Sequence, residues 1–290
     1  MPKISVTFDG DILEKGKPSL RIFGKVTAHL QSMIDRAWID NKNGSVAKHA
    51  KLASNDYPET EFFFDKIRKG SFIIDFSSIN PKIPPVIDLI SDAVSTAYNE
   101  LPTVDLGAYQ EKMAMHIYQR QEQIRLGILT PKDYRSMLDN PDNRIIRRYA
   151  ARSIVKELDQ MISVVRSENA GKSRIDLALE SKNNHTFSFD RAASNKFHRL
   201  VSKRVLGSPI IYTGILRQLD RGTRLNPKKA AKFTNDYNGK SFILHVASQN
   251  AFDELHPFLI KDSFSFIGCP VLEYGTFDPV AGDVFYVRLA

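Results

Sequence analysis

The stretch "AAKFTNDYNGKSFILHVAS", residues 230–248, decides how the last third of this chain is read. Two runs that suit β-strands flank Asn238-Gly239, a dipeptide fitted to a tight hairpin because both central positions of a type I′ turn need positive φ. In the second run, alternation puts Phe242, Leu244 and Val246 on one face and His245 on the other. A hairpin with one apolar face needs further strands to bury it. Upstream, "SPIIYTGILRQLD" (208–220) reads as a long strand, with a bend or bulge expected at Gly214. Downstream, "QNAFDELHPFLI" (249–260) reads as a short helix and "SFSFIGCPVLEY" (263–274) as a strand. A turn at "GTFDPVAGD" (275–283) leads to a last strand, "VFYVRLA" (284–290).

The order of elements after residue 207 is therefore three strands, a short helix and two strands. That order resembles the OB-fold, a small five-stranded barrel with a helix between its third and fourth strands and an often bent, glycine-containing first strand. The resemblance covers residues 208–290. It implies a ligand face across strands two and three and the adjoining loops, where OB-folds commonly hold single-stranded nucleic acid. The N-terminal part carries no family motif.

Before this region the chain reads as mixed α/β, so the fold class is α+β: an N-terminal domain over 1–206 with a helical insertion at 108–168, then an OB-like barrel over 207–290. A first strand is expected near 3–8. An amphipathic helix from Ser19 to Asp40 follows, with Phe23, Val26, Leu30, Met33, Ile34 and Ala37 on one face and Ser19 as its N-cap. "TEFFFDKIRKGSFIIDFSS" (60–78) reads as two strands around Lys69-Gly70, and a helix follows Pro84-Pro85. Within the helical insertion, Thr130-Pro131 and Asn140-Pro141 are expected to start helices. "RIDLALE" (174–180) and "TFSFD" (186–190) read as short strands, followed by a helix that starts after Asp190 and runs to about Val205.

A chain of 290 residues with 42% hydrophobic and 26% charged residues can bury a sizeable core. No apolar run approaches the ~20 residues that cross a bilayer, and "MPKISVTFDG" reads as a strand rather than a signal peptide. The expected compartment is the cytoplasm, with no membrane partner. The single cysteine, Cys269, excludes an internal disulfide, and its apolar flanks suggest a buried thiol.

The net charge is +8, and its distribution matters more than its size. Residues 191–232 hold eleven cations and one anion, so this segment carries +10 and the other 248 residues together carry −2. On the expected elements, Lys196, Arg199 and Lys203 form a stripe along a helix. Arg217, Arg221, Arg224, Lys228, Lys229 and Lys232 surround the loop between the first two barrel strands. Phosphate contact by these nine residues is the leading expectation. Tyr212, Phe233, Tyr237 and Phe242 are the rings available for stacking on bases, although alternation requires some of them to be core.

Catalytic motifs are weak. "AGKS" (170–173) resembles the end of a P-loop, but Arg166 stands where the motif needs glycine and a strand follows where it needs a helix. Glu180 and Lys182 resemble the Glu-x-Lys half of a metal-dependent nuclease site; that family needs a second acid from a neighbouring strand, and Asp75 rather than Asp176 is the candidate. The seven histidines show no metal-ligand spacing. The expectation is a non-enzymatic nucleic-acid-binding protein with no cofactor, metal or catalytic residue, its basic helix and barrel edge forming one surface. A protein-interaction or assembly subunit holding an acidic partner is the alternative, and a metal-dependent nuclease the third.

Overall fold

The computed structural model describes residues 1–68, 72–105, 113–139, 143–223 and 229–290. The chain divides into two compact units: 1–46, 50–107 and 147–203 make the first, and 47–49, 108–146 and 204–290 the second.

The first unit is built on a five-stranded antiparallel sheet of β1 (Lys3–Asp9), β2 (Phe63–Arg68), β3 (Phe72–Ser77), β4 (Arg174–Glu180) and β5 (Asn184–Asp190), in the order β2-β3-β1-β4-β5. The register places Ile4 between Phe76 and Leu179, Val6 between Ile74 and Leu177, and Phe8 between Phe72 and Ile175. This single apolar face is what the period-2 alternation dictates. The unit's helices are α1 (Leu20–Asn43), α2 (Ile83–Asn99), α4 (Asn143–Met161) and α5 (Arg191–Val201), while α3 (Met113–Arg125) belongs to the second unit. As expected, Ser19 caps α1, its hydroxyl accepting from the Ile22 amide at 3.3 Å. Val26, Leu30, Met33, Ile34 and Ala37 are buried. Pro84 and Pro85 sit inside the first turn of α2, where no intrahelical amide is needed.

Two helix boundaries differ from the sequence reading. Asp190 caps α5, but the helix stops at Val201, because Arg204–Leu206 pairs as a strand with Val271–Glu273. The helix after Thr130-Pro131 begins only at Tyr134. Lys132–Asp133 first pairs in parallel with Ile210–Ile211, and the Asp133 carboxylate then accepts from the Ser136 amide. Asn140-Pro141 and Lys69-Gly70 lie outside the described residues.

The second unit holds the barrel: β6 (Ile210–Asp220), β7 (Lys229–Asn235), β8 (Ser241–Val246), α6 (Gln249–Leu255), β9 (Phe264–Glu273) and β10 (Val284–Leu289). Strands run β6-β7-β8-β10-β9 and β9 returns to β6, closing a five-stranded barrel in which β8 and β10 are parallel. This is the OB-like architecture, helix included. Closure depends on Gly214, the residue at which β6 exchanges β9 for β7. A Cβ there would stand 2.1 Å from the Thr234 carbonyl oxygen, so only glycine lets the strands cross. Tyr212, Leu216, Phe233, Phe242, Leu244, Phe266 and Tyr286 fill the interior.

The β7–β8 hairpin is not the two-residue turn that Asn238-Gly239 suggests. Gly239 has φ +64°, but Asn238 does not enter the positive region. The Asn235 side chain accepts from the Tyr237 amide, and the Asn235 amide bonds to the Lys240 carbonyl, which opens a four-residue loop. Asn238 instead uses its side chain, donating to the Tyr134 hydroxyl at 2.8 Å.

Candidate nucleic-acid interface

The outer face of the barrel's first three strands is set by alternation. Ala231 and Phe233 point inward, leaving Ala230, Lys232 and Thr234 outside on β7. Opposite them on β8 stand His245, Ile243 and Ser241, with Thr234 and Ser241 hydroxyls 2.8 Å apart. On β6 a bulge falls between Leu216 and Gln218, so Arg217 and Gln218 together oppose the single Lys232. All three are exposed. A groove of about 380 Å³ opens here, lined by Gln218, Lys232, Ile243 and Asp220, with Lys48 and His49 on its other wall.

The 47–49 segment is anchored firmly. The Lys48 amide donates to Asp278 at 2.7 Å and its ammonium pairs with Asp283, which also lies 3.4 Å from His245 Nε2. Burial works against the charge of Asp283, but His245 and Lys48 outweigh it and hold the carboxyl down at about 2. His245 is further fixed by the Phe285 ring, 5.0 Å away.

Of the nine sequence-selected cations, seven are described, four in the second unit and three in the first. Arg217 and Lys232 are exposed opposite each other on β6 and β7, and Lys232 lines the groove. Arg221 lies beyond β6, its guanidinium 5.2 Å from the Phe252 ring of α6. Lys229 has the inward parity of β7, opposite the buried Val246, and is half-buried at the barrel's end. Arg224 and Lys228 lie outside the described residues. Lys196, Arg199 and Lys203 belong to the first unit. The first two are half-buried on α5, and Lys203 falls past its last residue, so the expected helical stripe is shorter than its spacing suggested.

The stacking platform is also corrected. Tyr212, Phe233 and Phe242 are core rings packed on one another and on Phe266. Tyr237 is exposed, but its ring packs on Tyr134 and beneath Arg135. The reason is geometric: a closed barrel of five strands needs large side chains to fill it, and these are the ones its alternation offers.

Nuclease geometry is not assembled. Asp75 and Glu180 lie on the same sheet face, but β1 runs between their strands, which separates them by about 10 Å across the sheet. Asp75 accepts from Ser5 at 2.6 Å and pairs with Lys3. Among the described residues, no group of three or more His, Cys, Asp or Glu side chains could hold a metal ion. In the P-loop-like stretch, Ser173 is buried and accepts from the Ile12 amide at 2.8 Å, and β4 follows directly. Burial pushes the Cys269 thiol up to about 12, as expected of a packing residue rather than a nucleophile. Among the described residues, no helix is long and apolar enough to cross a membrane. No family model, curated protein or solved structure matches the chain.

Proposed function

We propose that the barrel is a non-enzymatic nucleic-acid-binding module that holds phosphates along the outer face of β6 and β7. The observation that carries this reading is that Arg217 and Gln218 stand together opposite Lys232 on an OB-like barrel, with Gln218 and Lys232 lining an open groove. Two cations and an amide donor are suited to phosphate oxygens. With Tyr212, Phe233 and Phe242 turned inward, base stacking contributes little, so the module binds without reading sequence and with little preference for single strands. In this reading the protein acts in the cytoplasm.

The test is binding of labelled single-stranded and duplex DNA and RNA across a salt series, comparing wild type with Arg217→Glu/Lys232→Glu. Affinity is expected to fall with salt, and the variant to lose roughly two units of the log–log slope on duplex DNA. Equal slopes for the two proteins would remove the groove from the reading.

A second reading, an interaction or assembly subunit, is favoured by one observation in the first unit. On the edge strand β2, Phe63, Phe64 and Ile67 are 52%, 54% and 52% exposed. An unpaired edge bearing apolar side chains is a template for strand addition by a partner chain. Stable oligomers in light scattering that dissolve in Phe64→Ser would support this reading.

A further inference from the structure

The first unit contains a charged groove that the +10 segment does not include. Its rim begins with a tight hairpin in which Leu13–Glu14 pairs with Lys17–Pro18. The two turn residues, Lys15 and Gly16, have φ of 50° and 74°, so the hairpin tip carries a lysine where asparagine or glycine is the usual choice. One residue beyond the hairpin, Ser19 caps α1. The first turn of α1 contains no acid, and Arg21 stands in it with Lys25 four residues on. Lys15, Lys17, Arg21 and Lys25 all line one groove of about 770 Å³, and all are exposed.

This arrangement runs against local electrostatics twice. The start of a helix carries partial positive charge, which favours acids and disfavours cations. Like charges at i and i+4 repel as well. Within the groove the available acids are Asp11 and Glu14. Asp11 accepts from the Lys172 amide at 2.9 Å, and Glu14 faces Lys17 across the hairpin. None of the four cations forms an ion pair with a carboxylate among the described residues. The groove's other wall is apolar, formed by Ile12, Pro18, Ile22 and Val164. Its volume falls within the roughly 300–1,000 Å³ of small-molecule sites.

We propose that this groove is a phosphate-binding site of the first unit, in which Lys15, Lys17, Arg21 and Lys25 hold an organic polyphosphate against the head of α1. Charge that the protein leaves uncompensated is then neutralised by the ligand, and the first amides of the helix add donors directed at the same anion. Adjacent phosphates of this kind occur in a free nucleotide and along a nucleic-acid backbone. The apolar wall gives a base or sugar somewhere to lie. The site is formed by residues of the first unit alone, and its chemistry does not depend on the barrel groove.

Calorimetric titration of the full chain with inorganic triphosphate, ATP and a short oligonucleotide tests this. Wild type is expected to bind at least one of them at low salt. Arg21→Glu/Lys25→Glu should weaken that binding on the order of tenfold or more per removed cation. The same variant should melt no lower than wild type, because acids suit the head of a helix. Arg217→Glu/Lys232→Glu should leave triphosphate and ATP binding unchanged. ATP binding tighter than triphosphate identifies a nucleotide as the source, and oligonucleotide binding alone identifies a backbone. The proposal is overturned if wild type binds none of the three, or if a folded Arg21→Glu/Lys25→Glu binds as well as wild type. Protection of Lys15, Lys17 and Lys25 from acetylation by bound triphosphate gives an independent readout, and equal labelling with and without it counts against the site.

Discussion

Both units are built largely on antiparallel pairing, yet they treat their edges and their rings in opposite ways. The barrel closes β9 onto β6, so its five strands have no free edge, and its rings are driven inward to fill the interior. The five-stranded sheet ends at β2 with Phe63, Phe64 and Ile67 more than half exposed. Closure therefore leaves the barrel's outer face to polar and charged residues such as Lys232 and Gln218, whereas the open sheet displays apolar ones. The first kind of surface suits an anion and the second a chain that adds a strand.

Substitutions that attack closure should have the largest effects. Gly214→Val places a branched side chain against the Thr234 carbonyl and should cost about 3 kcal/mol or more, read as loss of the barrel's melting transition. A near-normal melt would mean that β6 can change partners without glycine. Next comes the contrast of rings. Phe233, fully buried, should cost about 3–5 kcal/mol when replaced by alanine. Phe64→Ser at the open edge should change stability by about 0.5 kcal/mol or less. Similar losses at the two positions would erase the distinction between closed and open regions.

Acid should then separate the units further. The Asp283 carboxyl is held at about 2 in the fold against an ordinary value of 3.8. Its contribution is complete above the unfolded value and is lost as pH falls from about 4 toward 2, on the order of 2 kcal/mol at most. In Asp283→Asn the barrel should lose this pH dependence, followed by near-ultraviolet circular dichroism. A smaller loss within the barrel is expected of Ser248→Ala, which removes the bond from the Ala251 amide at the start of α6 and should cost about 1 kcal/mol.

Much of the barrel is legible in the sequence because period-2 alternation and punctuation agree there. Gly214 marks the corner, the short helix begins at Gln249 as its run suggests, and Phe242, Leu244 and Val246 face inward as their spacing requires. The β7–β8 turn is not legible from Asn238-Gly239 because Asn235, three residues before Asn238, competes for the backbone with its own side chain. No local signal marks residues 47–49 and 108–146 as part of the second unit, since long-range pairs such as Lys48 with Asp283 have no periodicity.

The candidate site was legible as charge but not as geometry. Gln218 joins Arg217 opposite Lys232 only because a bulge puts two residues of β6 against one of β7. Lys229, three residues from Lys232, takes the inward parity instead. The groove at α1 is not legible as a charge cluster because Asp9, Asp11 and Glu14 come just before its cations and offset them in a segment count. The missing acid in the first turn of a helix that begins with Arg21 was the available signal.

The most direct measurement is an amide-resolved NMR titration of the chain with a short duplex. The expected result is shift changes centred on Arg217, Gln218, Lys232, Ile243 and His245 that shrink as salt is added. Changes confined to Phe63–Arg68, or none at low salt, would contradict phosphate binding on the barrel's outer face.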